Sequence, residues 1–240
     1  MSARLGPDAI DGPYRLRSGA AVAWPAQGCG QRTGIGHLAG EAVSAVVRTI
    51  LPVLFLTVTL FVMYLYIDRA LPYFADSQGQ WLRLSDVLLP AAFFTIHLTN
   101  RRYGPSYAFA QIVLSFLLCG AITLFGPDLV RQLLPATVMP SVREVAAFVL
   151  AFFVAGFLAI VAFDAARGPR WWMAPLIGSF VAGVAYVLIF YPVAYAGTAS
   201  PWGSHMLTHA GILTCAAISG LVPFWLLRAT IQPLSGFGGY

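Results

Sequence analysis

After residue 48 the chain is written as apolar runs broken by short polar stretches. Six runs can be laid out: Thr49–Ile67, Val87–Leu98, Ser106–Phe125, Val145–Phe163, Met173–Ala196 and Leu207–Leu227. Most approach the ~20 residues that an α-helix needs to cross about 30 Å of hydrocarbon. The pattern predicts an all-α integral membrane protein, a bundle of six transmembrane helices. The second run is the exception, with only 12 residues between Val87 and Leu98. To cross, it must recruit Leu82 and Leu84 before it and Leu98–Tyr103 after it, which draws His97 and Asn100 into the boundary of the bilayer. Residues 1–48 read differently, being rich in Gly, Pro and Arg. Their one apolar patch, "AAVAW" at 20–24, is too short for a signal-peptide core. We expect three parts: a disordered cytoplasmic tail over 1–48, the six-helix domain over 49–232, and a short cytoplasmic tail over 233–240. "GIGHLAG" at 34–40 has neither the lysine nor the spacing of a phosphate-binding loop.

Composition sharpens this picture. The 240 residues are 59% hydrophobic and 10% charged, against about 25% charged in a soluble domain. All 14 basic residues are arginine, and with the Ala/Gly/Val-rich texture this suggests a high-GC bacterial genome. The arginines flank the runs and form no stripe with interleaved aromatics, so the net charge of +5 is topogenic, and no nucleic-acid partner is expected. Arg4, Arg15, Arg17, Arg32, Arg48, Arg101, Arg102, Arg167, Arg170 and Arg228 fall on one side of a six-span layout. Arg69, Arg83, Arg131 and Arg143 fall on the other, beside Asp76, Asp86, Asp128 and Glu144. That excess predicts a multi-pass protein of the bacterial inner membrane with both termini cytoplasmic. Trp81, Trp171, Trp172 and Trp202 stand at run ends, as an aromatic belt would. Cys29, Cys119 and Cys215 are single and form no framework for disulfides or zinc.

The candidate chemistry is concentrated in "FFTIHLTNRRYGPSYAFAQI", residues 93–112. His97 and Asn100, three apart, share a helix face, and Tyr107 and Gln111, four apart, share a face of the next helix. An imidazole, a phenol and two carboxamides could read the edge of a neutral heterocycle, with Phe93, Phe94 or Tyr107 stacked on its face. The plainer readings stand beside it: Arg101-Arg102 as an inside anchor, Gly104-Pro105 as helix stop and restart, Asn100 as a cap, and His97 as a satisfied interfacial histidine. Tyr191, four residues before Tyr195 and next to Pro192, is a further candidate for ligand contact, as is His209. His205 and His209 have HxxxH spacing but no third ligand, so no metal is expected. "AISG" at 217–220 lacks the first glycine of the intramembrane serine proteases. The interiors of the runs hold no carboxylate. Neither catalytic residues nor a cofactor is expected.

"AFFTIHLTNRRYGP" at 92–105 resembles the signature of the bacterial queuosine precursor transporters, the VUT or DUF165 family, and "RWWMAP" at 170–175 resembles that family's loop between spans 4 and 5. The resemblance covers roughly residues 50–232. It implies uptake of a 7-deazaguanine base such as preQ0 or preQ1, and a fold similar to the substrate-binding components of vitamin importers. Thr99, Asn100, Tyr103 and Gly104 fit the family motif. His97 stands where the family has an aspartate, and Val184 and Ala185 occupy the region of another acidic residue. The expected function is therefore import of a small heterocyclic substrate through the lipid bilayer. Two rivals remain: a non-transporting subunit or scaffold that binds a partner protein, and a membrane-embedded enzyme. Nothing opposes a homo-oligomer.

Overall fold

A computed structural model describes residues 35–66, 75–76, 79–80, 82–126, 128 and 141–233. The chain divides into two units, Met1–Val43 and Ser44–Tyr240. Of the first, only the opening turns of helix α1 (Ile35–Leu65) are described. That helix begins inside the stretch read from the sequence as tail; the rest of that tail, and residues 234–240, lie outside the described residues. A two-residue antiparallel ribbon, β1 (Ala75–Asp76) with β2 (Gly79–Gln80), precedes α2 (Leu84–Tyr103). Then follow α3 (Pro105–Phe125), α4 (Val142–Ala165), α5 (Met173–Tyr195), α6 (Trp202–Ser219) and α7 (Leu221–Leu227).

Among the described residues, five segments are long and apolar enough to cross a membrane: Arg48–Leu65, α3, α4, α5, and α6 with α7 together. The protein is thus a multi-pass α-helical membrane protein. Its second apolar run is part of a helix of 20 residues, about 30 Å at 1.5 Å per residue. That helix is not among the five, because its ends carry Asp86, Arg101 and Arg102. Apolar side chains cover the outside of the bundle: Leu124 is 75% and Phe125 88% exposed, a surface suited to lipid and hazardous in water.

Several helix ends have a local cause. Asp86 accepts the backbone N–H of Arg83 at 3.0 Å and closes the first turn of α2. Ser141 and Glu144 form a reciprocal capping box at the head of α4. Between α2 and α3 the chain reverses on one residue. Gly104 has φ 86° and ψ 176°, a region that is essentially open to glycine only. Its N–H closes on the Asn100 carbonyl at 3.0 Å, and Pro105 opens α3. Gly104→Ala should therefore cost about 1–3 kcal/mol. A lower unfolding temperature in detergent would show it; an unchanged one would mean that the turn has another way to form.

Within lipid the hydrophobic effect does not drive helices together, so close packing must. The principal seam lies between α4 and α5. Ala147, Ala151, Ala155 and Ala159 recur every fourth residue of α4, facing Ala174, Gly178 and Ala182 at the same interval on α5, and all are buried. Small residues at that interval let two backbones approach closely. Arg143 ties the head of α4 to the tail of α5 by donating to the Val193 and Ala196 carbonyls, at 2.8 and 2.7 Å. The pair is therefore antiparallel. On the other side of the bundle, Pro52 interrupts α1, and α3 supplies the polar stitching there. Gln111 Nε2 donates to the Pro52 carbonyl at 3.0 Å, and Ser115 Oγ to the Val53 carbonyl at 3.1 Å.

The last span is broken. α6 ends at Ser219, Gly220 intervenes, and α7 begins at Leu221. Pro223 has no amide to donate to the Ser219 carbonyl four residues earlier, so the ladder cannot run through this point. Pro and Gly are tolerated at such depth where the irregular backbone lines protein or a cavity.

Candidate functional site

A cavity of about 440 Å³ opens between α2, α5, α6 and α7. Val87, Pro90, Phe93 and Phe94 line it from α2, and Pro175, Ser179 and Gly183 from α5. Leu213 and Ala217 of α6 face them, and the Ser219–Gly220–Leu221 break with Pro223 completes the wall. Its size is typical of small-molecule sites, which are mostly apolar with a few placed polar groups. The polar residues here are few: His97, Ser179 and Ser219, whose hydroxyl donates to the Ala216 carbonyl at 3.1 Å.

His97 is the notable one. Its ring stacks on Phe163, with centroids 5.3 Å apart and planes at 17°. Its edge lies over Gly178, where an added Cβ would stand 2.6 Å from His97 Cε1 and 3.2 Å from the Ala159 carbonyl oxygen. The small-residue seam thus makes the place for the imidazole as well as the helix contact. The residue is 1% exposed, yet neither ring nitrogen has a hydrogen-bond partner. A neutral imidazole presents one donor and one acceptor, and a buried polar group without a partner costs about 1–3 kcal/mol. The reading of His97 as a satisfied interfacial histidine does not hold.

The other residues singled out in the sequence go elsewhere. Asn100 is fully buried and engaged: Nδ2 donates to the Ile160 carbonyl at 3.4 Å, and Arg167 donates to its backbone carbonyl at 2.8 Å and to Oδ1 at 3.1 Å. Thr99 is buried on the same helix. Tyr107 packs against Tyr103, with centroids 5.5 Å apart, and lines an apolar groove with Val46, Thr49 and Val53 of α1. Gln111 holds α1, as described, although its Oε1 is buried without a partner. These side chains do not converge with His97 on the cavity. Phe93 and Phe94 do reach it, while also packing on Phe152 and Phe224.

At the opposite end of the bundle lies a polar cluster that the sequence did not announce. Arg83 Nη2 meets Glu144 Oε1 at 2.7 Å, and the Tyr195 hydroxyl donates to the same oxygen at 3.0 Å. Burial draws the Arg83 pKa down, but Tyr195 and Glu144 more than offset it and hold the guanidinium above its ordinary value. One helical turn deeper, the Tyr191 hydroxyl and His209 Nδ1 are hydrogen-bonded at 3.2 Å, with His209 fully buried and its Nε2 without a partner. Glu144 and Asp86, read as loop residues, are drawn into the first turns of α4 and α2, so the helical segments do contain carboxylates. The Ser141-x-x-Glu144 spacing is a helix-start signature that could have placed Glu144. Its pairing with Arg83, 61 residues away, had no such signal. Among the described residues, no three His, Cys, Asp or Glu side chains come together in a way that could hold a metal ion.

No family model matches the chain, and no curated protein or solved structure matches it.

Proposed function

We propose that this membrane protein moves a small, neutral or weakly polar aromatic heterocycle across the bilayer, holding it in the cavity between α2, α5, α6 and α7. The observation that carries this reading is His97, buried at the cavity wall with both ring nitrogens unsatisfied. A planar ligand with a donor or an acceptor on its edge would satisfy one of them. Phe93 and Phe94 offer faces for stacking, and the Ser219 carbonyl, deprived of its donor by Pro223, offers a further acceptor. Broken helices beside a central site are a recurring device of secondary transporters.

Among such ligands, a 7-deazaguanine base such as preQ0 or preQ1 is the leading candidate. The support is the likeness of residues 92–105 to the queuosine precursor transporters. The cavity wall carries no carboxylate to accept the N1–H and 2-amino protons of such a base. His97 and the opened backbone at Ser219 would take that part. In this reading the chain crosses the bacterial inner membrane six times, α2 included, with both termini in the cytoplasm. Uptake is driven by trapping of the ligand in cytoplasmic metabolism.

The test uses a bacterium that can neither make nor import queuosine precursors. The chain is expressed, preQ0 or preQ1 is supplied at low concentration, and queuosine is measured in tRNA. Restoration is the expected result. Absence of restoration, with the protein folded in the membrane, would remove the deazapurine assignment.

A further inference from the structure

A serine or threonine inside a helix commonly settles its own hydroxyl by donating back to a backbone carbonyl three or four residues earlier. Thr57, Thr123 and Thr214 do so at 2.7, 2.9 and 2.8 Å, and Thr95 at 2.8 Å. On the cavity wall Ser219 does the same, toward the Ala216 carbonyl. Ser179 of α5 departs from this habit. It stands half-buried inside the helix, on the cavity wall, and its hydroxyl has no hydrogen-bond partner among the described residues.

Its neighbours fix where it stands. Pro175, Ser179 and Gly183 recur every fourth residue of α5 and share the face that lines the cavity. Gly178, the residue before Ser179, is the one over which His97 lies: an added Cβ there would stand 3.3 Å from His97 Nδ1. At Gly183, one turn on, α6 comes close, and an added Cβ would stand 3.1 Å from the Leu213 Cβ. The hydroxyl is thus carried on the same turn of α5 that meets the imidazole, in a wall whose other side chains are nearly all apolar.

We infer that Ser179 is the second polar contact for a ligand in this cavity, and that with His97 it selects neutral rings carrying a donor and an acceptor side by side. The inference rests on the reading of the cavity as a ligand site. A neutral imidazole offers the edge of a ligand one nitrogen, as donor or as acceptor according to its tautomer. A hydroxyl can act either way. If the imidazole accepts from a ring N–H, the serine donates to the neighbouring carbonyl. If the imidazole donates to that carbonyl, the serine accepts from the N–H. The complement of both arrangements is a lactam edge. A ring without that edge leaves buried polar groups unpaired, which is how a site of this kind rejects close analogues.

The full chain, purified in a neutral detergent, is tested by equilibrium dialysis against empty micelles with three neutral rings of similar size. Isocarbostyril has a lactam edge, its N-methyl derivative has lost the donor, and naphthalene has neither group. Isocarbostyril is expected to bind the wild type about fivefold more tightly than its N-methyl derivative, the size of one net hydrogen bond. Ser179→Ala should bind isocarbostyril about fivefold more weakly, with naphthalene binding and the unfolding midpoint unchanged. The comparison of the two lactams uses the wild type alone, so it stands even where the variant fails to fold. Equal binding of the two lactams, or isocarbostyril binding that is unchanged in Ser179→Ala, overturns the inference and leaves the cavity as an apolar site. Binding of none of the three rings to the wild type overturns the reading of the cavity itself, and the inference with it.

Discussion

Glu144→Ala should lower the stability of the protein in detergent by about 3 kcal/mol, the size of effect seen when one partner of a buried ion pair is removed. The side chains of Arg83 and Glu144 are only 19% and 14% exposed, so the arginine left behind cannot simply turn into water. The same substitution also removes the acceptor of the Tyr195 hydroxyl and half of the cap that starts α4. Three elements meet at this carboxylate: the head of α2, the head of α4 and the tail of α5. The double variant Arg83→Met/Glu144→Leu should be far less damaged, because no charge is then stranded. Unfolding midpoints of the three proteins decide the matter. If Glu144→Ala behaves like the wild type, the pair is ornamental and the helix ends are held by Arg143 and packing alone.

For His97→Phe the expected outcome is a protein at least as stable as the wild type whose uptake falls about tenfold or more. Phenylalanine keeps a ring stacked on Phe163 and removes the two unsatisfied nitrogens, whose burial costs about 1–3 kcal/mol. A lost hydrogen bond to a bound ligand is worth roughly 1.4 kcal/mol for each factor of ten. Stability and function would then move in opposite directions, the signature of a residue retained for a ligand at the expense of the fold. A variant that keeps full uptake would show that the imidazole does not touch the substrate. One that unfolds would show that the ring is needed for packing against Gly178, and His97→Leu would then separate the two.

How far the sequence carried this picture depends on the range of the interaction that decides each feature. Apolar runs are local, and so the helices stand close to where the pattern put them. Even the short second run grew at both ends by way of Leu84 and Leu98–Tyr103. The stop and restart at Gly104-Pro105 is local too, and the backbone angles at Gly104 show why only that residue serves. The alanines at 147, 151, 155 and 159 were also in plain view as a period of four, but without their counterparts on α5 they read only as apolar composition. What the sequence hid was partnership across distance. Asn100 could be a cap, a ligand contact or a tether, and Arg167, 67 residues on, makes it a tether. His97 and Asn100 share a helix face in the sequence, yet one meets a cavity and the other the carbonyl of Ile160 and a loop arginine.

The break at Gly220 has a mechanical consequence. The 18 residues of α6 and the 7 of α7 are separate levers joined at one glycine. A helix of 7 residues is too short to persist on its own hydrogen bonds, so the position of α7 is set by its one buried anchor, Phe224, against Phe94 and Phe163. Phe163 is also the ring on which His97 rests. Any ligand that shifts the imidazole therefore presses on the same aromatic stack that holds the short lever. The load reaches the membrane surface at Arg228 without passing through the alanine seam.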